Sequence, residues 1–163
     1  MDMLSGALGG GVLNAGDLRR RLGVSAPTMM RAVRQDGPRV VRIGRARATR
    51  YGLRALWPGL DVSRFPVFRV SDSGDVQSSG ELVTLAARQT VWMPVGAVSD
   101  GLPIELADAR PSGFLGRLFA ATHADLPLPA RLADWSDHHV LIALARRGED
   151  MPGNLVLGEL MQL

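Results

Sequence analysis

Arginine is the residue type in this chain best equipped to engage a partner. The stretch RVVRIGRARATRYGL, residues 39–53, holds five arginines in fifteen residues. Its flanks alternate valine, isoleucine and tyrosine with polar residues in the manner of strands. Its middle, GRARAT, lacks any large apolar side chain. Just upstream, SAPTMMRAVRQDG contributes Arg31 and Arg34. A guanidinium group is planar, permanently charged and forked, so it matches phosphate oxygens or the O6/N7 edge of guanine. Such a concentration of fixed positive charge suits a polyanion. A solvated basic face with a structural or protein-binding role is the competing reading.

Other chemistries find little support. Cysteine is absent, which removes disulfides and thiolate metal sites. The three histidines are His123, His138 and His139, and neighbours on a helix diverge by about 100°, so no zinc site is expected. Asp137 beside His138 has no nucleophile tied to it, and Ser112 in PSGFLG lacks the G-x-S-x-G elbow. No GxxxxGK[ST], HRD or DFG motif occurs, and lysine is missing altogether. No catalytic residue, metal or cofactor is therefore expected in this chain. The aromatic residues do not interleave with the arginines, which argues against a single-strand stacking surface.

The elements that must hold the arginines follow from caps and periodicity. NAGDLRRRLGV reads as a short helix capped by Asn14 or Gly16, with Leu18 and Leu22 on one face and Gly23 at its end. SAPTMMRAVRQDG reads as a second helix, with Ser25 as N-cap, Pro27 in the first turn and Gly37 beyond its end. Two helices on a tight turn, followed by a basic hairpin, form the pattern of a winged helix-turn-helix. Met29, Ala32 and Val33 are expected to face inward. Ser25, Pro27, Thr28, Met30, Arg31 and Arg34 are expected to face the major groove. The hairpin becomes the wing, with Val40, Val41, Ile43 and Tyr51 anchoring it to the helices. Arg42, Arg45, Arg47 and Arg50 are left to reach phosphates or the minor groove, and Thr49 offers a neutral phosphate contact. The opening MDMLSGALGGGVL is too glycine-rich to read as the helix that usually precedes such a pair. A single small footprint binds weakly, so a homodimer or larger assembly on DNA is expected.

Charge divides the chain. Residues 1–60 carry eleven arginines against three aspartates, a net +8, and residues 61–163 carry eight arginines against thirteen acids, a net −5. The two prolines and the glycine of LWPGLDVSRFP, residues 56–66, mark the boundary. The expected domains are residues 1–57, the winged helix-turn-helix, and residues 64–163, a small α+β unit. In the latter, FPVFRVSDSGDVQSSGELVTLA gives strand, polar turn and strand, TVWMPV another strand, and RPSGFLGRLFAATHADL a helix after a glycine-broken start. DWSDHHVLIALARRGED is the clearest helix, capped by Asp134 or Ser136 and stopped by Gly148. The overall class is α+β with an antiparallel sheet. No apolar run approaches the roughly 18 residues of a membrane span, and no signal peptide is evident, so a cytoplasmic protein is expected.

DGLPIELADARPSGFLGRLFA and DWSDHHVLIALARRGEDMPGNLVLGE resemble the N-terminal part of HipA-like serine/threonine kinases, nearest the YjjJ-type branch, and GVSAPTMMRAVRQDGPRVVRIGRARATRYGL resembles the DNA-binding head of that branch. The resemblance spans most of residues 14–159. It implies a regulatory N-subdomain whose kinase core lies outside these residues, in trans or in a longer chain, and a kinase of this type uses a lysine that is absent here. A small protein of this kind restrains the kinase in related split toxin–antitoxin systems (a HipS-like role). The resemblance thus implies a promoter-binding, antitoxin-like regulator that restrains or completes a Ser/Thr kinase. The alternative is the front of a YjjJ-type kinase toxin, which the uncharged ending after Glu159 favours. Kinase docking is expected at Arg110, Gly113, Phe114, Gly116, Arg117 and Trp135. The acids Asp100, Asp108, Asp134, Asp137 and Glu149 are candidates to meet basic groups. The competing reading of RPSGFLGR is a structural corner that packs Phe114 and Leu115 into the core.

Overall fold

A computed structural model of the chain describes residues 3–158. The outer ends of both expected domains, residues 1–2 and 159–163, lie outside the described residues, as does the uncharged ending.

The first sixty residues build helices and a small sheet in alternation. They form α1 (Met3–Leu8), β1 (Leu13–Asn14), α2 (Ala15–Leu22), α3 (Ala26–Gln35), β2 (Val40–Ile43) and β3 (Arg50–Leu53). The three strands pair antiparallel in the order β1-β3-β2. Local chemistry sets the helix limits. The Asn14 side chain accepts from the Asp17 amide, Gly23 closes α2 in the left-handed conformation, and Ser25 caps α3. Leu4, Leu8, Leu18, Met29 and Tyr51 bury together between the helices and β3. Despite its glycines, the opening segment forms α1, because Leu4, Ala7 and Leu8 meet this core one turn apart. Packing outweighs the intrinsic helix cost of Gly6.

The remainder forms one five-stranded antiparallel sheet in the order β7-β6-β5-β4-β8. Its strands are β4 (Arg64–Val70), β5 (Val76–Thr84), β6 (Gln89–Met93), β7 (Ala97–Asp100) and β8 (Leu155–Leu157). Three helices, α4 (Ile104–Ala107), α5 (Gly113–Thr122) and α6 (Asp137–Arg147), accompany it. The expected β4–β5 hairpin, β6, α5 and α6 are all present. The short β7, β8 and α4 lacked a legible pattern. The main core gathers Phe65, Val67 and Leu82 from the sheet with Val140, Leu141 and Leu144 from α6.

The two parts share a third core. Val41 and Ile43 of β2 bury against Val83 and Val91 of the larger sheet and Leu85 just beyond β5. Strand alternation explains this: Leu82 faces the helical side while Val83, its neighbour, faces the hairpin. The end of β5 is therefore buried on both faces at Leu82, Val83 and Thr84, with the Thr84 hydroxyl donating to the Ala55 carbonyl at 2.6 Å. This corrects one sequence expectation. Val40 and Tyr51 do pack against the helices, but Val41 and Ile43 turn the other way, onto the body. Polar clasps reinforce the seam. Arg50 donates to the Gly96 carbonyl at 2.7 Å, and the Gln89 side chain accepts from the Val12 amide at 2.9 Å while donating to Asp100 at 2.8 Å.

Candidate nucleic-acid interface and partner surface

The apolar residues of α3 occupy one side of the helix, which leaves Pro27, Thr28, Arg31 and Arg34 exposed at i, i+1, i+4 and i+7 on the other. The tip of the β2–β3 hairpin is a short turn over Ala46–Ala48, with Gly44 and Ala46 at positive φ. That turn leaves Arg42, Arg45 and Arg47 exposed. Among the described residues, the side chains of Arg31, Arg34, Arg42, Arg45 and Arg47 form no hydrogen bond or ion pair within the chain. Their charge is uncompensated locally and free for an external anion. Ser25 and Thr28 are also exposed, although their hydroxyls share a hydrogen bond at 2.9 Å as part of the α3 cap.

Three of the expected DNA-facing residues are not available. Thr49 is only 4% exposed, and its Oγ1 is buried without a hydrogen-bond partner, so it cannot meet a phosphate. Arg50 is committed to the Gly96 carbonyl and serves the seam between the two parts. Met30 is half-buried against the helical core, where its sulfur accepts from the Tyr51 hydroxyl at 3.5 Å. For Met30 and Arg50, helix or strand spacing gave a face that a distant segment then engaged.

The expected docking residues divide in the same way. Trp135 is 3% exposed and donates its indole N–H to the Pro129 carbonyl, so it is a core residue. Gly116 is buried, with Leu132 and Pro111 where a side chain would stand. Arg110 works internally: it donates to the Trp135 carbonyl at 2.6 Å and to Asp137 at 3.1 Å. Gly113, Phe114 and Arg117 remain on the surface. The corner reading of RPSGFLGR is also corrected, because Phe114 and Leu115 point outward at 70% and 74% exposure while Gly116 and Phe119 face in.

Of the five candidate acids, Asp137 is engaged within the chain, accepting from the Leu102 amide at 3.0 Å as well as from Arg110, and Asp100 accepts from Gln89. Asp108, Asp134 and Glu149 are exposed.

The start of α6 holds a polar cluster that sequence spacing did not reveal. The rings of His138 and His139 approach to 3.9 Å between centroids rather than diverging. Both Nδ1 atoms lie near the Ser136 hydroxyl, and His139 Nδ1 accepts from the Ser136 amide at 3.0 Å, completing a capping box. Both imidazoles are held below their ordinary pKa. Burial is the main cause, followed for His138 by His139 and Arg88 and for His139 by Arg110 and Arg88. Among the described residues, no three His, Asp or Glu side chains gather as a metal site. Likewise, no helix among them is long and apolar enough to cross a membrane.

Beside α5 lies a cleft of about 520 Å³, floored by Leu115, Leu118, Phe119 and Met151 and edged by Glu149 and Asp150.

Residues 61–162 match the family model described as the YjjJ-like toxin, middle domain. The chain is 37% identical over 165 residues to Toxin YjjJ of Escherichia coli (strain K12). That alignment takes in 98% of this chain and 36% of that protein, so the chain spans about a third of the relative's length. No solved structure matches it.

Proposed function

The chain belongs to the family of YjjJ-like toxins, and from that premise we propose that it is a DNA-binding regulatory region whose body docks a Ser/Thr kinase core. The first sixty residues act as a winged helix-turn-helix. The observation that carries this reading is the pairing of topology with free charge. The order α1-β1-α2-α3-β2-β3, with its small antiparallel sheet, supports a winged arrangement. Its helix α3 and the β2–β3 hairpin hold five exposed arginines whose side chains are unpaired. In this reading α3 enters the major groove with Arg31 and Arg34 at base edges, while Arg42, Arg45 and Arg47 hold the backbone.

The body, residues 61–158, takes the part of a HipA-like N-subdomain and restrains or completes the kinase. The chain has no lysine to hold ATP phosphates, so phosphoryl transfer belongs to the kinase core. The collinear match to one longer toxin favours the second reading, in which these residues are the front of a YjjJ-type kinase toxin. A family model described as a middle domain agrees with a body flanked on both sides. DNA binding is common to both readings.

The test is a gel-shift titration on duplex DNA across a salt series. Each phosphate contact contributes about 0.9 to the slope of log affinity against log salt, so replacing Arg45 and Arg47 by alanine should flatten the slope by about 2. Arg50→Ala should leave the slope unchanged, since Arg50 is spent on the Gly96 carbonyl. An unaltered slope in the double variant refutes the wing's role. Failure of the intact chain to bind duplexes in dilute buffer refutes the proposal for the head.

A further inference from the structure

The outward face of α5 is apolar where a solvated helix would be polar. Phe114 is 70% exposed, Leu115 74% and Leu118 51%, and these three stand at i, i+1 and i+4 on one helix face. Scattered apolar residues on a surface are ordinary, but a contiguous set beside a cavity marks an interaction site. Leu115 and Leu118 line the mouth of the cleft of about 520 Å³, together with Phe119 and Met151. Its far edge carries Glu149 and Asp150, both exposed. Asp150 is anchored there by His123 at 3.1 Å. The cleft thus has a greasy floor and a negative rim, within a body whose net charge is −5.

We infer that this cleft is the docking site for an apolar, Lys/Arg-flanked segment of the kinase-bearing remainder of a YjjJ-type protein. The inference rests on the proposed kinase docking and gives that docking an address. Charge complementarity selects the occupant: buried apolar side chains meet Leu115, Leu118 and Met151, and a basic flank meets Glu149 and Asp150. The relative's length leaves room for such an occupant, because the matched stretch makes up only 36% of that protein.

The experiment co-expresses the full chain with the part of the Escherichia coli toxin outside the matched stretch. It measures complex formation by co-purification, then by titration against the labelled chain. Leu115→Glu with Leu118→Glu should weaken the complex at least about tenfold, the scale of losing a buried apolar anchor. Both leucines are largely exposed in the free chain, so the variant should keep its far-UV circular dichroism. Glu149→Arg should also weaken the complex and make its salt dependence shallower. A complex indifferent to both variants overturns the cleft as the site while leaving kinase docking intact. No complex with the unaltered chain defeats the docking reading itself and this inference with it. Self-association of the chain through the same two leucines would show a second copy as the occupant and overturn the assignment.

Discussion

Replacing Ile43 by alanine should destabilise the head and the body together. Ile43 lies in the hairpin, yet it is fully buried against Val83 and Val91 of the large sheet and Leu85 just beyond β5. Removing its three outer carbons forfeits their burial and leaves a cavity between two sheets that are each pinned by their own ladders. Such changes cost about 2–5 kcal/mol. For a chain of this size each kcal/mol lowers the melting temperature by about 2–4 °C, so a mid-range loss of about 3 kcal/mol corresponds to roughly 6–12 °C. The readout is favourable because Trp57, Trp92 and Trp135 all sit in or against the body core, whereas the lone tyrosine, Tyr51, lies in the head. Tryptophan fluorescence therefore follows body unfolding, and far-UV circular dichroism follows both parts. The shared core requires one transition by both probes, with both shifted by Ile43→Ala. Val83→Ala, made from the other side of the seam, should shift both as well. Suppose instead that the head melts early in Ile43→Ala while the tryptophan transition stays in place. The two parts would then be independent, and the reasoning from the shared core would be wrong.

Two further outcomes follow from single sites. Thr49→Val should be neutral or stabilising by up to about 1 kcal/mol in chemical denaturation, because it removes a buried hydroxyl that has no partner; it should leave duplex affinity unchanged, and a clear loss of affinity would restore Thr49 to the interface. Stability should fall as pH drops below about 6.5, the ordinary imidazole value, because burial holds His138 and His139 below it in the folded chain. The sign follows from linkage: the unfolded chain binds more protons there, so stability is fully present above the unfolded pKa and is lost on acidification. His139→Gln with His138→Gln should reduce that dependence in thermal melts between about pH 7.5 and 5.5, since glutamine preserves the capping-box acceptor without titrating.

What the sequence determined by itself is what short-range chemistry controls. Asn14, Ser25 and Gly23 set the limits of α2 and α3 through groups only a few residues away. The polar turn between β4 and β5, the apolar stripe of α6 and its stop at Gly148 are local in the same sense. The uneven placement of the arginines needs no structure at all. Tertiary structure decided which of two available faces met a neighbour. A strand offers alternate residues to opposite sides, but nothing within β2 says that Val41 and Ile43 will find Val83 and Val91, far along the chain. The tertiary arrangement buries Thr49 at the hairpin and brings Arg50 onto the Gly96 carbonyl. It removes two residues from a DNA surface that spacing alone had granted them. The same holds for α1, which becomes a helix by leaning on Leu18 and Tyr51, and for α5. There, burial of Gly116 and Phe119 forces Phe114 and Leu115 into solvent. Periodicity fixes the angle between side chains on one element, while long-range packing fixes which angle points inward.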